Sequence, residues 1–117
     1  LDLLLACAEN RLGDTRASWA DDHALTVVMA AKGYPGSYAK GSQISGLDAL
    51  PSNSGQEVFH AGTALVDGRL TATGGRVLNV TARAASLGQA RDLAYGMVER
   101  IEWPDGFYRR DIGWRAL

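Results

Sequence analysis

The sequence predicts an α+β domain, a small antiparallel β-rich unit with a covering C-terminal helix. Three observations carry this expectation. Asp67-Gly68 separates two strand-like runs, and this dipeptide tolerates the positive φ angles that a two-residue hairpin turn requires. Gly74-Gly75 then leads into a third such run, Arg76–Arg83. Apolar residues from Leu87 to Ile101 recur at spacings of three and four, the period of a helix with one buried face.

The totals bound the rest. A chain of 117 residues with 46% hydrophobic and 21% charged residues fits one folded domain with a single core. The formal net charge of -1 and a pI near 6.1 provide no broad electrostatic footprint, which argues against nonspecific nucleic-acid or anionic-membrane partners. Any anion site is therefore local. Cys7 is the only cysteine, so an internal disulfide and a multi-thiolate metal site are excluded and a reducing, cytoplasmic setting is expected. No apolar run approaches the roughly 20 residues of a membrane span, and no basic stretch precedes a cleavable apolar one. The chain starts at Leu1, inside an apolar helical pattern, which suggests a fragment.

Taken in order, Leu3, Leu4, Ala6, Cys7 and Ala8 form the apolar face of a helix tail, with Gly13 placed as its C-terminal stop. Leu25–Ala31 is almost continuously apolar and reads as a strand covered on both faces. Lys32–Gly41 holds three glycines and Pro35 and reads as an irregular loop carrying two tyrosines and two lysines. Asp48–Gln56 is turn-rich and is expected to be the most mobile exposed segment. Glu57–Val66 and Arg69–Thr73 form the hairpin across Asp67-Gly68, and Arg76–Arg83 completes an antiparallel meander. Ser86 and Gln89 open the final helix as a capping box. Its sheet-facing residues are Leu87, Ala90, Leu93, Ala94, Met97, Val98 and Ile101, and it ends before Trp103-Pro104 because the residue before proline avoids helical backbone. In the tail, Phe107, Tyr108, Ile112 and Trp114 are expected to pack against the domain, which otherwise exposes them.

Few residues suit chemistry. His23 and His60 have no evident nucleophile or acid partner, so His60 reads as a structural strand residue rather than a base. Asp21-Asp22 are adjacent and project apart, and no paired-histidine spacing occurs, so no metal site is expected. Neither familiar glycine-rich nucleotide motif is present. Two glycine-rich loops remain. In TGGR, the glycines allow close backbone approach, successive N–H groups can form an anion-binding concavity, and Arg76 can fork two hydrogen bonds to a phosphate or carboxylate. A short hairpin loop with a solvated arginine fits the same residues and is locally the commoner outcome. Asn79 adds an amide inside an apolar strand, which needs a partner if buried. In AAKGYPG, Lys32 and Gly33 sit where a strand emerges, either as a clamp on a ligand or as an ordinary strand exit. Arg109, Arg110 and Arg115 read as solvated or paired with Asp105 and Asp111.

Four segments, AAKGYPG at Ala30–Gly36, FHAGTAL at Phe59–Leu65, GGRVLNVTA at Gly74–Ala82 and FYRRDIGWRAL at Phe107–Leu117, closely resemble the carboxyl-terminal domain of the glycinamide ribonucleotide synthetase family, the phosphoribosylamine-glycine ligases. The resemblance runs in order along essentially the whole chain. It implies a hybrid or barrel-like β-rich domain over residues 21–117, with residues 1–20 as the tail of an ATP-grasp region and a connector. It also implies a cytoplasmic enzyme of purine biosynthesis that joins glycine to 5-phosphoribosylamine and cleaves ATP through a glycyl phosphate, with Mg2+ on the nucleotide. ATP and Mg2+ would bind mainly outside this chain, in the upstream ATP-grasp domain. By the same resemblance no catalytic residue lies in this chain, which would be inactive alone. It implies that Gly74, Gly75 and Arg76, with Lys32 and Gly33, form a wall for the substrate phosphate, beside which the local reading adds Asn79, although the KGYPG loop could instead touch the ATP-grasp lid. Two other readings stand beside it: a noncatalytic docking module, and the equivalent domain of a biotin-carboxylase-type ligase, which the KGYPG and DIGWRAL segments match less well.

Overall fold

The computed structural model describes residues 1–51, 53 and 55–117. Among these residues are two α-helices and six strands: α1 (Asp2–Ala8), β1 (His23–Ala31), β2 (Gln56–His60), β3 (Thr63–Val66), β4 (Arg69–Ala72), β5 (Arg76–Ala84), α2 (Leu87–Val98) and β6 (Gly106–Phe107). The main sheet runs β2-β5-β1-β6 and is antiparallel throughout, while β3 and β4 form a separate ribbon. The architecture is α+β, as the sequence predicts, and the sheets do not close into a barrel.

Register assigns the faces. Leu25, Val27 and Met29 of β1 lie opposite Ala82, Val80 and Leu78 of β5, and all six are buried. Helix α2 covers this face with Ala90, Ala94, Met97 and Val98. Ala90 and Ala94, one turn apart and fully buried, let the helix backbone come close to the sheet. The helix starts as its sequence indicates, with the Gln89 amide donating to Ser86 Oγ at 3.3 Å. It ends at Val98, and Leu93 falls outside the buried stripe. Ile101 and Trp103 enter the core from the chain beyond it.

The other face differs from expectation. The run Leu25–Ala31 is not covered on both sides: burial alternates from Ala24 to Met29, and only Met29–Ala31 is buried continuously. Thr26 and Val28 look outward and are exposed on the side opposite α2.

The expected meander is also absent. The run Glu57–Val66 breaks at Ala61-Gly62 into β2, which pairs with β5, and β3, which pairs with β4. The break is steric. Gly62 crosses Gly74 so closely that a Cβ on Gly62 would lie 2.7 Å from Gly74 Cα and 2.8 Å from Arg76 O. The hairpin itself forms as predicted, with Asp67 and Gly68 at φ 49° and 73° and Val66 opposite Arg69. A strap beside β4 fastens this ribbon to the main body. Gly41 and Ile44 amides donate to Ala72 and Leu70 carbonyls, Ser45 and Glu102 exchange backbone hydrogen bonds, and Trp103 Nε1 donates to Ser42 Oγ at 2.8 Å.

At the N-terminus α1 stops earlier than Gly13 suggests. Asn10 adopts φ 56°, the Arg11 amide donates to Ala6 O and the Asn10 amide to Cys7 O, so asparagine closes the helix with the paired bonds that glycine usually supports. Within the turn-rich Asp48–Gln56 stretch, Ser52 and Ser54 lie outside the described residues. The C-terminal tail is clamped by Tyr95, whose hydroxyl donates to Arg109 O and accepts from the Ile112 amide. Tyr108 and Ile112 pack on the core, whereas Phe107 and Trp114 stay exposed, contrary to expectation. Arg109 pairs with Asp111, while Arg110 and Arg115 lie over the rings of Tyr108 and Trp114.

Two substitutions check this packing. Gly62→Ala forces a methyl into backbone atoms and should destabilise by about 1–3 kcal/mol. Gly96→Ala, inside α2 with nothing within 4 Å, should stabilise by about 0.5–1 kcal/mol. Urea midpoints of the two variants should move in opposite directions. The tail gives a titration. The hydrogen bond and charge of Arg109 hold the Asp111 carboxyl below its ordinary value. Because the folded value is depressed, this pair stabilises the tail above the ordinary carboxylate range and loses that contribution as pH falls through the folded value. An NMR titration of Asp111 should show the low midpoint, and Arg109→Gln should bring it back up.

Candidate functional site

The candidate site is built on the uncovered face, and one irregularity puts its cation there. Along the β1–β5 ladder Met29 lies opposite Leu78, but the next residue, Ala30, lies opposite Arg76. Strand β5 therefore fits two residues, Val77 and Leu78, where β1 has one. Both are fully buried. Without the extra residue Arg76 would share the helix-covered face of Leu78. With it, Arg76 pairs across from Ala30 and joins the side of the sheet that carries Val28 and Asn79, the re-aiming typical of a β-bulge.

The face can be read in rows across the strands. Phe107, Ala30 and Arg76 form one row, and Val28, Asn79 and Phe59 the next. Thr26, Thr81 and Glu57 follow, with the two threonine hydroxyls 2.8 Å apart. Arg83 closes the far end, its Nε donating to Asp22 at 2.7 Å. A cavity of about 270 Å³ opens there, with Glu57, Phe59, Thr81 and Arg83 in its wall. Among the described residues Arg76 belongs to none of the ion pairs, so its guanidinium is exposed and unclaimed. Asn79, half-buried between Val28 and Phe59, carries its amide in the next row of the same face.

The glycines before Arg76 serve a purpose other than the one their pairing suggests. Neither Gly74 nor Gly75 has a positive φ, so the loop lacks the left-handed residue that an N–H nest needs. Strands β4 and β5 lie in different sheets, so it is not a hairpin loop either. The Thr73 and Gly74 amides both donate to Gly62 O, at 2.7 and 3.2 Å. Gly75 O accepts from the Ala31 amide at 2.8 Å. A Cβ on Gly75 would fall 2.6 Å from Tyr34 Cε2 and closer still to Cδ2, so the tyrosine ring occupies the space over this glycine. Close approach is what the pair supplies.

The second loop meets the first through that ring. Gly33, at φ 97°, turns the chain so tightly that a Cβ would collide with Ser37 O, and the Tyr34 amide donates back to Ala31 O. The Tyr34–Pro35 peptide bond is cis. Lys32 is directed elsewhere: its Nζ donates to Pro104 O, and its amide to Asp105 O. The structure thus brings Gly74, Gly75, Arg76 and Asn79 to one edge of the open face with Gly33 behind them, and it commits Lys32 to the Trp103–Asp105 turn. His60 stands apart, its Nδ1 3.1 Å from Thr63 Oγ1, next to a different cavity beside Leu47 and Met97. Tyr34 and the aromatic neighbours Phe59 and Phe107 are not among the site residues that the sequence suggests. Tyr34 follows Gly33 directly, but only the fold shows that Gly75 is its counterpart.

Comparison with known proteins gives this geometry its setting. The structure is similar to the crystal structure of phosphoribosylamine–glycine ligase from Thermotoga maritima, with a TM-score of 0.67 and 39% identity, covering 76% of this chain and 21% of that one. The fold is therefore one that a domain of that enzyme also adopts. The family model described as phosphoribosylglycinamide synthetase, C domain, matches residues 24–115, and the chain belongs to that family. Phosphoribosylamine–glycine ligase of Brucella melitensis is 54% identical over 117 residues, all of this chain and 27% of that enzyme. The chloroplastic enzyme of Arabidopsis thaliana is 51% identical over 117 residues, with 98% of this chain and 22% of that protein covered. The chain spans about a quarter of the length of these relatives.

Proposed function

We propose that this chain is the C-terminal domain of a phosphoribosylamine–glycine ligase and that its open face binds the 5-phosphate of phosphoribosylamine. The observation that carries the reading is the bulge at Val77, which turns an unpaired arginine onto the uncovered face beside Asn79. A phosphate is the ligand that an exposed guanidinium fork suits best, because two parallel charge-assisted bonds fix its orientation. Asn79 adds a neutral donor, and the flanking Phe107, Val28 and Phe59 present apolar surface on which a sugar can rest.

Holding the phosphate positions the amine of phosphoribosylamine for attack on the activated glycyl carboxyl, converting a bimolecular encounter into one of fixed geometry. The chemistry itself falls to the rest of the enzyme. Among the described residues no group of three or more His, Cys, Asp or Glu side chains is arranged to hold a metal ion. ATP and Mg2+ belong to an upstream ATP-grasp domain, and residues 1–20 connect to it. No helix among the described residues is long and apolar enough to cross a membrane, and a cytoplasmic enzyme of purine biosynthesis is the setting this reading assigns. The exposed Val28, Phe59 and Phe107 also favour docking of this face against the other domains, a role that coexists with substrate binding.

The test is Arg76→Ala in the full-length ligase. Loss of a charged hydrogen bond should cost roughly 1.5–3 kcal/mol, about 10- to 150-fold in kcat/KM for phosphoribosylamine, with the KM for glycine and for ATP little changed. An unaltered kcat/KM for phosphoribosylamine refutes the assignment.

A further inference from the structure

We infer that Tyr34 is a positioning residue for Arg76, acting through the face of Gly75; the inference rests on the phosphate-binding reading of Arg76 and extends it. The residue before an arginine on a strand end decides where the guanidinium can reach, and here that residue is held from several directions. The Gly75 carbonyl is bound by the Ala31 amide. The two preceding amides are bound by Gly62 O. The remaining side of Gly75 is filled by the Tyr34 ring, where a methyl group would overlap Cδ2 and Cε2.

The ring is itself anchored. Its edge-to-face partner is Tyr38, with centroids 6.1 Å apart and planes at 63°, a favoured aromatic geometry. Tyr38 in turn packs on the hydrophobic core. The Tyr34 amide donates to Ala31 O at 3.0 Å, which closes the turn against the same strand end that binds Gly75. A continuous packed path therefore runs from the core through Tyr38 and Tyr34 to Gly75 and the backbone of Arg76. Its effect is to hold the cation in one place before substrate arrives, which lowers the ordering cost of binding. Ring bulk does this, and the hydroxyl is not required.

The experiment uses the full-length ligase and the variants Tyr34→Phe, Tyr34→Ala, Gly75→Ala, Arg76→Ala and the Tyr34→Ala/Arg76→Ala double substitution. Tyr34→Ala should raise the KM for phosphoribosylamine on the order of tenfold through misplacement alone, with the KM for glycine and ATP within about twofold. Gly75→Ala, which displaces the ring from the opposite side, should give the same split and serves if Tyr34→Ala does not fold. Tyr34→Phe should behave like the wild type. The double variant should be no worse than Arg76→Ala, because the tyrosine acts through the arginine. Additive losses, a Tyr34→Phe defect equal to that of Tyr34→Ala, or an equal rise in all three KM values overturns the positioning role while leaving Arg76 as the phosphate ligand. An Arg76→Ala variant with unchanged phosphoribosylamine kinetics overturns both.

Discussion

Arg76 faces the uncovered side of the sheet because β5 carries one residue more than β1 can match at Val77. Much else depends on that mismatch. The two extra-crowded positions, Val77 and Leu78, are both buried, so the bulge is held by the core rather than left as a defect at the rim. A slip that removed it would send Arg76 toward the helix face, where a guanidinium has no partner and burial is costly. The hydrophobic core and the orientation of the cation are thus one constraint.

The glycines enforce the same arrangement by subtraction. Gly62 and Gly74 let two backbone segments cross, which is how the chain leaves the main sheet for the β3–β4 ribbon and returns to start β5. Gly75 admits an aromatic ring where any side chain would clash. None of the three is needed for a left-handed backbone conformation, and each is needed for the absence of a Cβ. From Gly74 to Asn79 the backbone is consequently fixed by close contacts and hydrogen bonds, with Val77 and Leu78 buried beneath, Arg76 exposed and Asn79 half-buried, a suitable arrangement for a binding wall.

The legible parts of the fold were those written in local sequence. The Asp67-Gly68 turn and the Ser86 cap depend on residues within a few positions of one another, and both formed as read. The break at Gly62, the bulge and the bare face of β1 depend on pairing between distant strands, which no local pattern encodes. The apolar run Leu25–Ala31 shows the difference: its composition suggests a strand covered twice, but Thr26 and Val28 face outward and are exposed. The candidate site divided in the same way. Arg76 after two glycines was visible as a cation at a strand mouth, yet its face was set by register with β1. Lys32 looked equivalent in sequence and proved committed to Pro104. Tyr34 gained meaning only once Gly75 lay beneath it.

The central claim is that the arginine delivered by the bulge grips the substrate phosphate. The most direct measurement is a crystal structure of the full-length ligase with its product, glycinamide ribonucleotide, bound. The product phosphate should lie within hydrogen-bonding distance of the Arg76 guanidinium, with the Tyr34 ring still seated on Gly75. A phosphate bound elsewhere, with Arg76 turned to solvent, would contradict it.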